Sequence, residues 1–221
     1  MIILLFGPPG CGKGTQAVYL AERFQIPAIS TGEMFRAETK AGTELGKLAS
    51  SIMASGGLIT DEITNAIVAN RIAQPDCANG FLLDGYPRTV PQAQYFAGLL
   101  RERKLPEPIV IHLDVAEELL VSRLTARRQC PVCKRIYNVL SQPPKVEGRC
   151  DDDGAELITR VDDQEETIRQ RLRAYNELTG PILKWYGAER VRKIDGNQPP
   201  DVVARTVTAV VSEEASKVAA L

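Results

Sequence analysis

Aromatic residues are scarce in this chain, 5% of 221 residues with a single tryptophan, and neither sign of charge predominates. Lys and Arg number 27 against 28 Asp and Glu, a formal net charge of −1. A general nucleic-acid binder needs a basic face and aromatic platforms for stacking, so no nucleic-acid partner is expected. Histidine occurs once, as His112 inside an apolar run. That setting suits a structural histidine, and a mechanism built on a histidine base is not expected. No stretch approaches the roughly 20 apolar residues that span a bilayer, so no membrane association is expected. The N-terminal apolar run Ile2–Phe6 has no basic flank and reads as part of the segment after it, not as a secretory leader. Cysteines number five, odd for a disulfide framework, and three have metal-like spacing, which points to a reducing, cytoplasmic setting. The length and the 44% hydrophobic content suffice for one substantial core with a small insert.

What the chain does have is Gly7-Pro8-Pro9-Gly10-Cys11-Gly12-Lys13-Gly14-Thr15 between an apolar run and an amphipathic stretch, residues 16–24. Buried strand, glycine-rich turn and helix start, in that order, are the context of a phosphate-binding loop. Glycines let backbone N–H groups turn onto an anion without a Cβ in the way. The helix start adds partial positive charge there, and Lys13 can reach the outer phosphates. The pattern G-x-x-x-x-G-K-[ST] places a hydroxyl directly after the lysine; here Gly14 stands there and Thr15 comes one later. Cys11 reads as a space-filling residue, although an exposed thiol at that point would be open to alkylation. The alternative, a glycine-rich turn without a ligand, is disfavoured because strand, loop, lysine and helix agree.

Along the chain, short apolar runs alternate with helical periods. Strands are expected at 2–6, 26–29, 81–84, 109–114 and 191–194. Ser30-Thr31-Gly32-Glu33 caps a helix to about Lys40, and Thr60-Asp61-Glu62 caps another that ends before Pro75. Further helices are expected over 90–103, 116–128, from Asp162 to about Tyr186 with an interruption near Gly180-Pro181, and from Asp201 to about Ala219. Alternation of this kind implies an α/β fold, a parallel sheet covered on both faces.

Residues 129–160 break the pattern. Cys130-x-x-Cys133, sixteen residues, then Cys150-x-x-Asp153 gives two knuckles like those of a zinc ribbon. Asp151 and Asp152 compete for the fourth position, and the repeated two-residue gap selects Asp153. The alternative is three free thiols in a polar loop, but a tract this poor in apolar residues needs a staple. Cys77 lies outside the set and reads as a buried thiol.

Gly7 through Ala17 resembles the nucleoside monophosphate kinases, adenylate kinases above all. Asp84-Gly85-Tyr86-Pro87-Arg88 is similar to that family's most diagnostic motif. The resemblance covers nearly the whole chain and implies three parts: a P-loop core with a five-stranded parallel sheet flanked by helices (1–29, 60–125 and 164–221), a helical AMP-binding insert (30–59) and a zinc-ribbon-like lid (126–163). It implies reversible phosphoryl transfer from ATP with Mg²⁺ to AMP, giving two ADP, by a monomer with a structural Zn²⁺. Lys13, Asp84, Arg88, Arg123, Arg160 and Arg171 would carry the chemistry. ATP would lie on Gly10, Cys11, Gly12, Lys13, Gly14, Thr15, Arg123, Arg127, Ile136, Tyr137 and Gln198. AMP would lie on Thr31, Arg36, Gly57, Leu58, Ile59, Gly85, Tyr86, Pro87, Arg88, Gln92, Arg160 and Arg171, with Gln92 reading adenine. The zinc would lie on Cys130, Cys133, Cys150 and Asp153. Tyr86-Pro87 is a candidate cis peptide. Two departures stand out: Glu33 where the family usually has Asp, and Gln198 in place of a frequent Lys, where the backbone is expected to bind.

Such residues suit phosphoryl transfer because that reaction brings several negative charges together, and positioning and neutralisation do most of the work. Arginine forks fit phosphate oxygens, and a carboxylate such as Asp84 can hold the waters of a magnesium ion. Rival readings are a relative with another donor or acceptor (GTP:AMP or UMP/CMP kinase) and, from a different class, a P-loop ATPase with a nucleic-acid-binding zinc ribbon.

Overall fold

The computed structural model describes residues 1–219. The chain runs β1 (Ile2–Phe6), α1 (Lys13–Phe24), β2 (Ala28–Ser30), α2 (Thr31–Ala41), α3 (Glu44–Ala54), α4 (Asp61–Ile72), β3 (Phe81–Asp84) and α5 (Val90–Glu102). It continues with β4 (Ile109–Asp114), α6 (Glu117–Thr125), β5 (Arg127–Gln129), β6 (Ile136–Asn138), α7 (Glu165–Ala174), α8 (Gly180–Tyr186), β7 (Val191–Asp195) and α9 (Pro200–Ala219). Five strands form a parallel sheet in the order β2-β3-β1-β4-β7. β1 is apolar at every position because both its faces are covered. Ile3 and Leu5 face one core with Leu20, Leu120, Ile168 and Val207 from the helices. Ile2, Leu4 and Phe6 face the other with Val68, Phe96 and Ile182. Truncating one of these, as in Leu4→Ala, removes a fully buried side chain and costs about 2–5 kcal/mol.

Two smaller apolar clusters lie outside the sheet. Phe35, Ala49 and Ile59 pack between α2 and α3 and the segment after them. The two helices approach so closely that a Cβ on Gly46 would strike the backbone of Glu38. Cys130, Tyr137, Cys150 and Leu157 pack beside the antiparallel pair β5–β6.

Several boundaries differ from the sequence reading. The second strand lies at Ala28–Ser30, because its ladder partners are Leu82 to Asp84. α6 ends at Thr125, since Arg127 to Gln129 pair with β6 instead of continuing the helix. Val161–Asp163 is one 3₁₀ turn, and α7 starts only at Glu165. The interruption expected near Gly180-Pro181 is a π turn, Tyr175–Thr179, directly before it, and the pair opens α8. Thr60 makes no capping bond through its side chain.

Candidate functional site

The loops after β1, β3 and β7 leave the carboxyl ends of parallel strands and open into one cleft of about 890 Å³, the expected place for a ligand in such a sheet. Gly10, Cys11, Gly12, Lys13, Gly14 and Thr15 line it. Gly12, just before α1, has a φ of 102°, a left-handed conformation that glycine adopts without a steric penalty. No side chain caps α1 and no acid stands in its first turn, so its N–H groups face an anion site without competition. Lys13 Nζ donates to the carbonyls of Gly7 (2.7 Å) and Pro8 (3.0 Å). The Cys11 thiol is buried, not exposed, and burial pushes its pKa up against the pull of Lys13. A Cβ at Gly14 would lie 3.6 Å from Ile136 Cδ1 and 3.9 Å from Asp84 Oδ2, so this glycine faces both.

Six arginines, Arg36, Arg88, Arg123, Arg127, Arg160 and Arg171, line the same cleft. Most are held by neighbouring acids. Arg127 pairs with Asp163 at 2.6 Å, and Arg171 with Asp162 and Asp163 at 3.0 and 3.1 Å. Arg36 and Arg160 share Glu33 Oε1, at 2.6 and 2.9 Å. Arg160 also donates to Gln129 Oε1 at 2.7 Å. Arg123 donates to the Gly196 carbonyl at 3.0 Å. Arg88 donates through Nε to the Gly85 carbonyl (2.8 Å) and has no ion pair among the described residues. Burial, then Arg171, presses the Arg88 pKa down; burial, then Arg127 and Arg36, pushes Arg160 down to about 9. Cations crowded together, two of them (Arg88 and Arg123) without an ion pair among the described residues, favour a polyanion between them.

Beside this cleft a smaller cavity is lined by Thr31, Gly57, Leu58, Ile59, Gly85, Arg88 and Gln92, which the sequence had spread over 62 positions. Thr31 Oγ1 donates to the Gly85 carbonyl at 2.9 Å. Gln92 is 1% exposed; its Oε1 accepts from Arg88 N and its Nε2 donates to Asp61 Oδ1, both at 2.7 Å. Asp61 therefore orients Gln92, a role beyond the helix cap read from the sequence. Pro87 lines the larger cleft after a cis Tyr86-Pro87 bond. Tyr86 lines neither cavity: it is a core side chain, edge-on to Phe96, with its hydroxyl on Asn65 Oδ1 at 2.6 Å.

Ile136, Tyr137 and Gln198 also line the cleft. Tyr137, however, turns its hydroxyl toward Cys150 Sγ (3.4 Å) and Asp151 N (2.8 Å). Gln198 donates to Asp195 Oδ2 at 3.0 Å, which leaves its backbone to face the cleft. Glu33 and Gln129 join the site in roles that sequence alone did not give. Glu33 was visible as part of a helix-capping signature and as a departure from the family's Asp, not as a partner of arginines, and nothing local marks Gln129.

The donor atoms of Cys130, Cys133, Cys150 and Asp153 all lie within 4.8 Å of one another. Of the two rival acids, Asp151 accepts from Lys145 N, and Asp152 pairs with Arg135 while its Oδ2 lies 3.9 Å from Cys133 Sγ; neither belongs to the four-atom cluster. Asp153 is held at about 2 by the Ala155 N–H and Cys130. The N–H groups of Val132 and Cys133 point at Cys130 Sγ, at 3.3 and 3.4 Å. Three sulfurs and a carboxylate, two of the N–H groups supporting a thiolate, could hold one metal ion in a closed, four-ligand site.

The chain matches the family model described as adenylate kinase over residues 5–191. It is 48% identical over 215 residues to an adenylate kinase of Oceanobacillus iheyensis, covering 97% of this chain and 100% of that protein. An adenylate kinase of Anaeromyxobacter dehalogenans is 50% identical over 186 residues, 84% and 87% of the two chains. One of Symbiobacterium thermophilum is 49% identical over 213 residues, 96% and 98%.

Proposed function

The chain belongs to the adenylate kinase family, and from that premise we propose how its residues divide the transfer of a phosphoryl group from ATP to AMP. The observation that carries the reading is the convergence of Lys13, the uncapped start of α1 and six arginines on one cleft. The triphosphate lies on residues 10–15, with Lys13 leaving the Gly7 and Pro8 carbonyls for the outer phosphates. Arg123 and Arg127 flank it, and its base rests against Ile136 and the backbone near Gln198. AMP lies where the cleft meets the smaller cavity, its base toward Gln92. Arg36 and Arg88 hold its phosphate, and Thr31 and residues 57–59 line its base and ribose. Gln92 reads adenine with the hydrogen-bonding positions that Arg88 N and Asp61 leave open. Tyr86 acts from the core, as a brace for the loop that carries Arg88.

Arg88, Arg160 and Arg171 meet the phosphoryl group in flight, where preorganised charge lowers the barrier. Asp84, facing Gly14, would hold the Mg²⁺ that accompanies ATP; when bound, that ion offsets charge on the bridging phosphates. Residues 30–59 form the AMP-binding insert and 126–163 the lid, on the core made by the rest. The lid metal is zinc, bound by Cys130, Cys133, Cys150 and Asp153, and its role is structural. The enzyme works as a cytoplasmic monomer, in keeping with five free thiols.

The test is a matrix of donor and acceptor nucleotides with ADP formation measured for each pair. ATP with AMP should give by far the highest kcat/KM, and parity of UMP or CMP with AMP would remove Gln92 from base recognition. Lys13→Ala and Arg88→Ala should each lower kcat by about 10²–10³ with Tm unchanged. Normal turnover in a folded variant would take that residue out of the mechanism.

A further inference from the structure

Gln16 lies in the first turn of α1, directly after Thr15, and is 2% exposed. Its Nε2 donates to the carbonyl of Pro200 at 2.9 Å, a residue 184 positions later that opens α9. Its Oε1 is buried and has no hydrogen-bond partner among the described residues. The orientation of the amide follows from its partner, because a carbonyl oxygen only accepts. Packing does not account for an amide here. An unbranched apolar side chain of that length would fill the same space without stranding an oxygen. What the amide adds is a tie between two walls of the cleft.

One wall is the phosphate cradle at the start of α1. The other is the segment 195–200, already fastened at several points. Gly196 N donates to the Asp114 carbonyl (2.7 Å), Asn197 Oδ1 accepts from Ala116 N (3.1 Å), and Arg123 donates to the Gly196 carbonyl (3.0 Å). Each of those bonds fixes the segment to β4, or to α6 and the turn before it. Gln16 alone among the side-chain bonds of this segment fixes it to the phosphate cradle.

We propose that Gln16 is a positioning residue that sets the spacing between the triphosphate cradle and the segment 195–200 that receives the donor nucleotide's base. This rests on the reading of that segment given above. A ligand that bridges the two walls feels the spacing, whereas one confined to the cradle does not. ATP bridges them; inorganic tripolyphosphate carries the same phosphates without base or ribose.

The experiment measures binding of ATP and of tripolyphosphate by calorimetry to wild type, Gln16→Met and Gln16→Glu, with KM for ATP and for AMP alongside. Gln16→Met keeps the length and removes both amide groups. It should weaken ATP roughly three- to tenfold, the range of one lost hydrogen bond, and leave tripolyphosphate binding unchanged. KM for ATP should rise in step while KM for AMP holds. Its Tm should not fall, since the stranded oxygen goes with the bond. Gln16→Glu adds a carboxylate beside the cradle and should weaken ATP and tripolyphosphate together, a charge effect distinct from the ATP-selective loss in Gln16→Met. Equal weakening of ATP and tripolyphosphate in Gln16→Met would mean that Gln16 shapes the cradle only, and unchanged ATP affinity in that variant, folded, would mean that the tie is idle; either overturns the proposal. Wild type binding ATP no more tightly than tripolyphosphate would instead overturn the base-segment reading itself.

Discussion

Glu33 accepts from Arg36 and Arg160 with a single oxygen, and so occupies two cations that a phosphate could claim. Burial works against its charge, yet the Arg36 hydrogen bonds and the charges of Arg36 and Arg160 outweigh it and keep the acid strong. His112 is the opposite case, a base kept weak. It is hydrogen-bonded to the Tyr175 hydroxyl at 3.2 Å, and burial lowers its pKa. Lys193 and Lys13 add to that lowering, and Asp114 opposes it. The folded chain therefore binds this proton less readily than the unfolded one. The stability His112 contributes is complete above about 6.5, its value in a flexible chain, and is lost as pH falls through the lowered native value. Tm measured between pH 7.5 and about 5 should fall in wild type and be flatter in His112→Gln; parallel curves would show that His112 does not carry the effect.

Among the elements, the segment 126–163 has a small apolar core: four buried residues, two of them cysteines of the Cys130, Cys133, Cys150 and Asp153 cluster. A four-ligand site of this kind does not exist in the unfolded segment, so on the proposed reading metal binding and local folding are one event. Chelation should lower Tm, at about 2–4 °C per kcal/mol lost in a chain of this size, while kcat at 25 °C in excess Mg²⁺ persists. Cys150→Ser should weaken the metal and Asp153→Cys should keep it. A metal-free enzyme that melts unchanged but no longer turns over would place the ion in the mechanism.

The segment 126–163 is also where local sequence signals are weakest. The sheet strands, the phosphate loop and the Cys-Cys-Cys-Asp set announce themselves, because burial on both faces, glycine turns and ligand spacing leave local marks. β5 and β6, three residues each, do not, since two short antiparallel strands around polar side chains have no period to detect. Helical character continued on paper past Thr125, and only pairing with β6 ends it. The π turn at Tyr175–Thr179 is likewise set from outside: Tyr175 reaches His112, and the Thr179 hydroxyl donates to the Arg88 carbonyl at 3.0 Å. Gln129 and Asp61 acquire their roles only from partners distant in sequence.

At the scale of the molecule, Gln129 and Arg160 from the lid segment meet Glu33 of α2 across 96 and 127 positions of sequence. Segment 126–163 and α2 are thus joined by the same carboxylate that pairs with Arg36 and Arg160, two of the arginines proposed to meet phosphate. A ligand that fills the cleft between them should hold both down and exclude water, which suppresses loss of the phosphoryl group to hydrolysis. A bisubstrate analogue should slow hydrogen exchange at amides of 126–163 and of α2, and unchanged exchange in both would exclude closure. The strand order β2-β3-β1-β4-β7 also has a bearing on how the chain comes into being. The central strand, Ile2–Phe6, is synthesised well before its ladder partners Phe81–Asp84 and Ile109–Asp114. The chain must therefore be extended as far as Asp114 before the middle of the sheet can exist. Until then an apolar strand with two open edges is exposed to whatever else will pair with it.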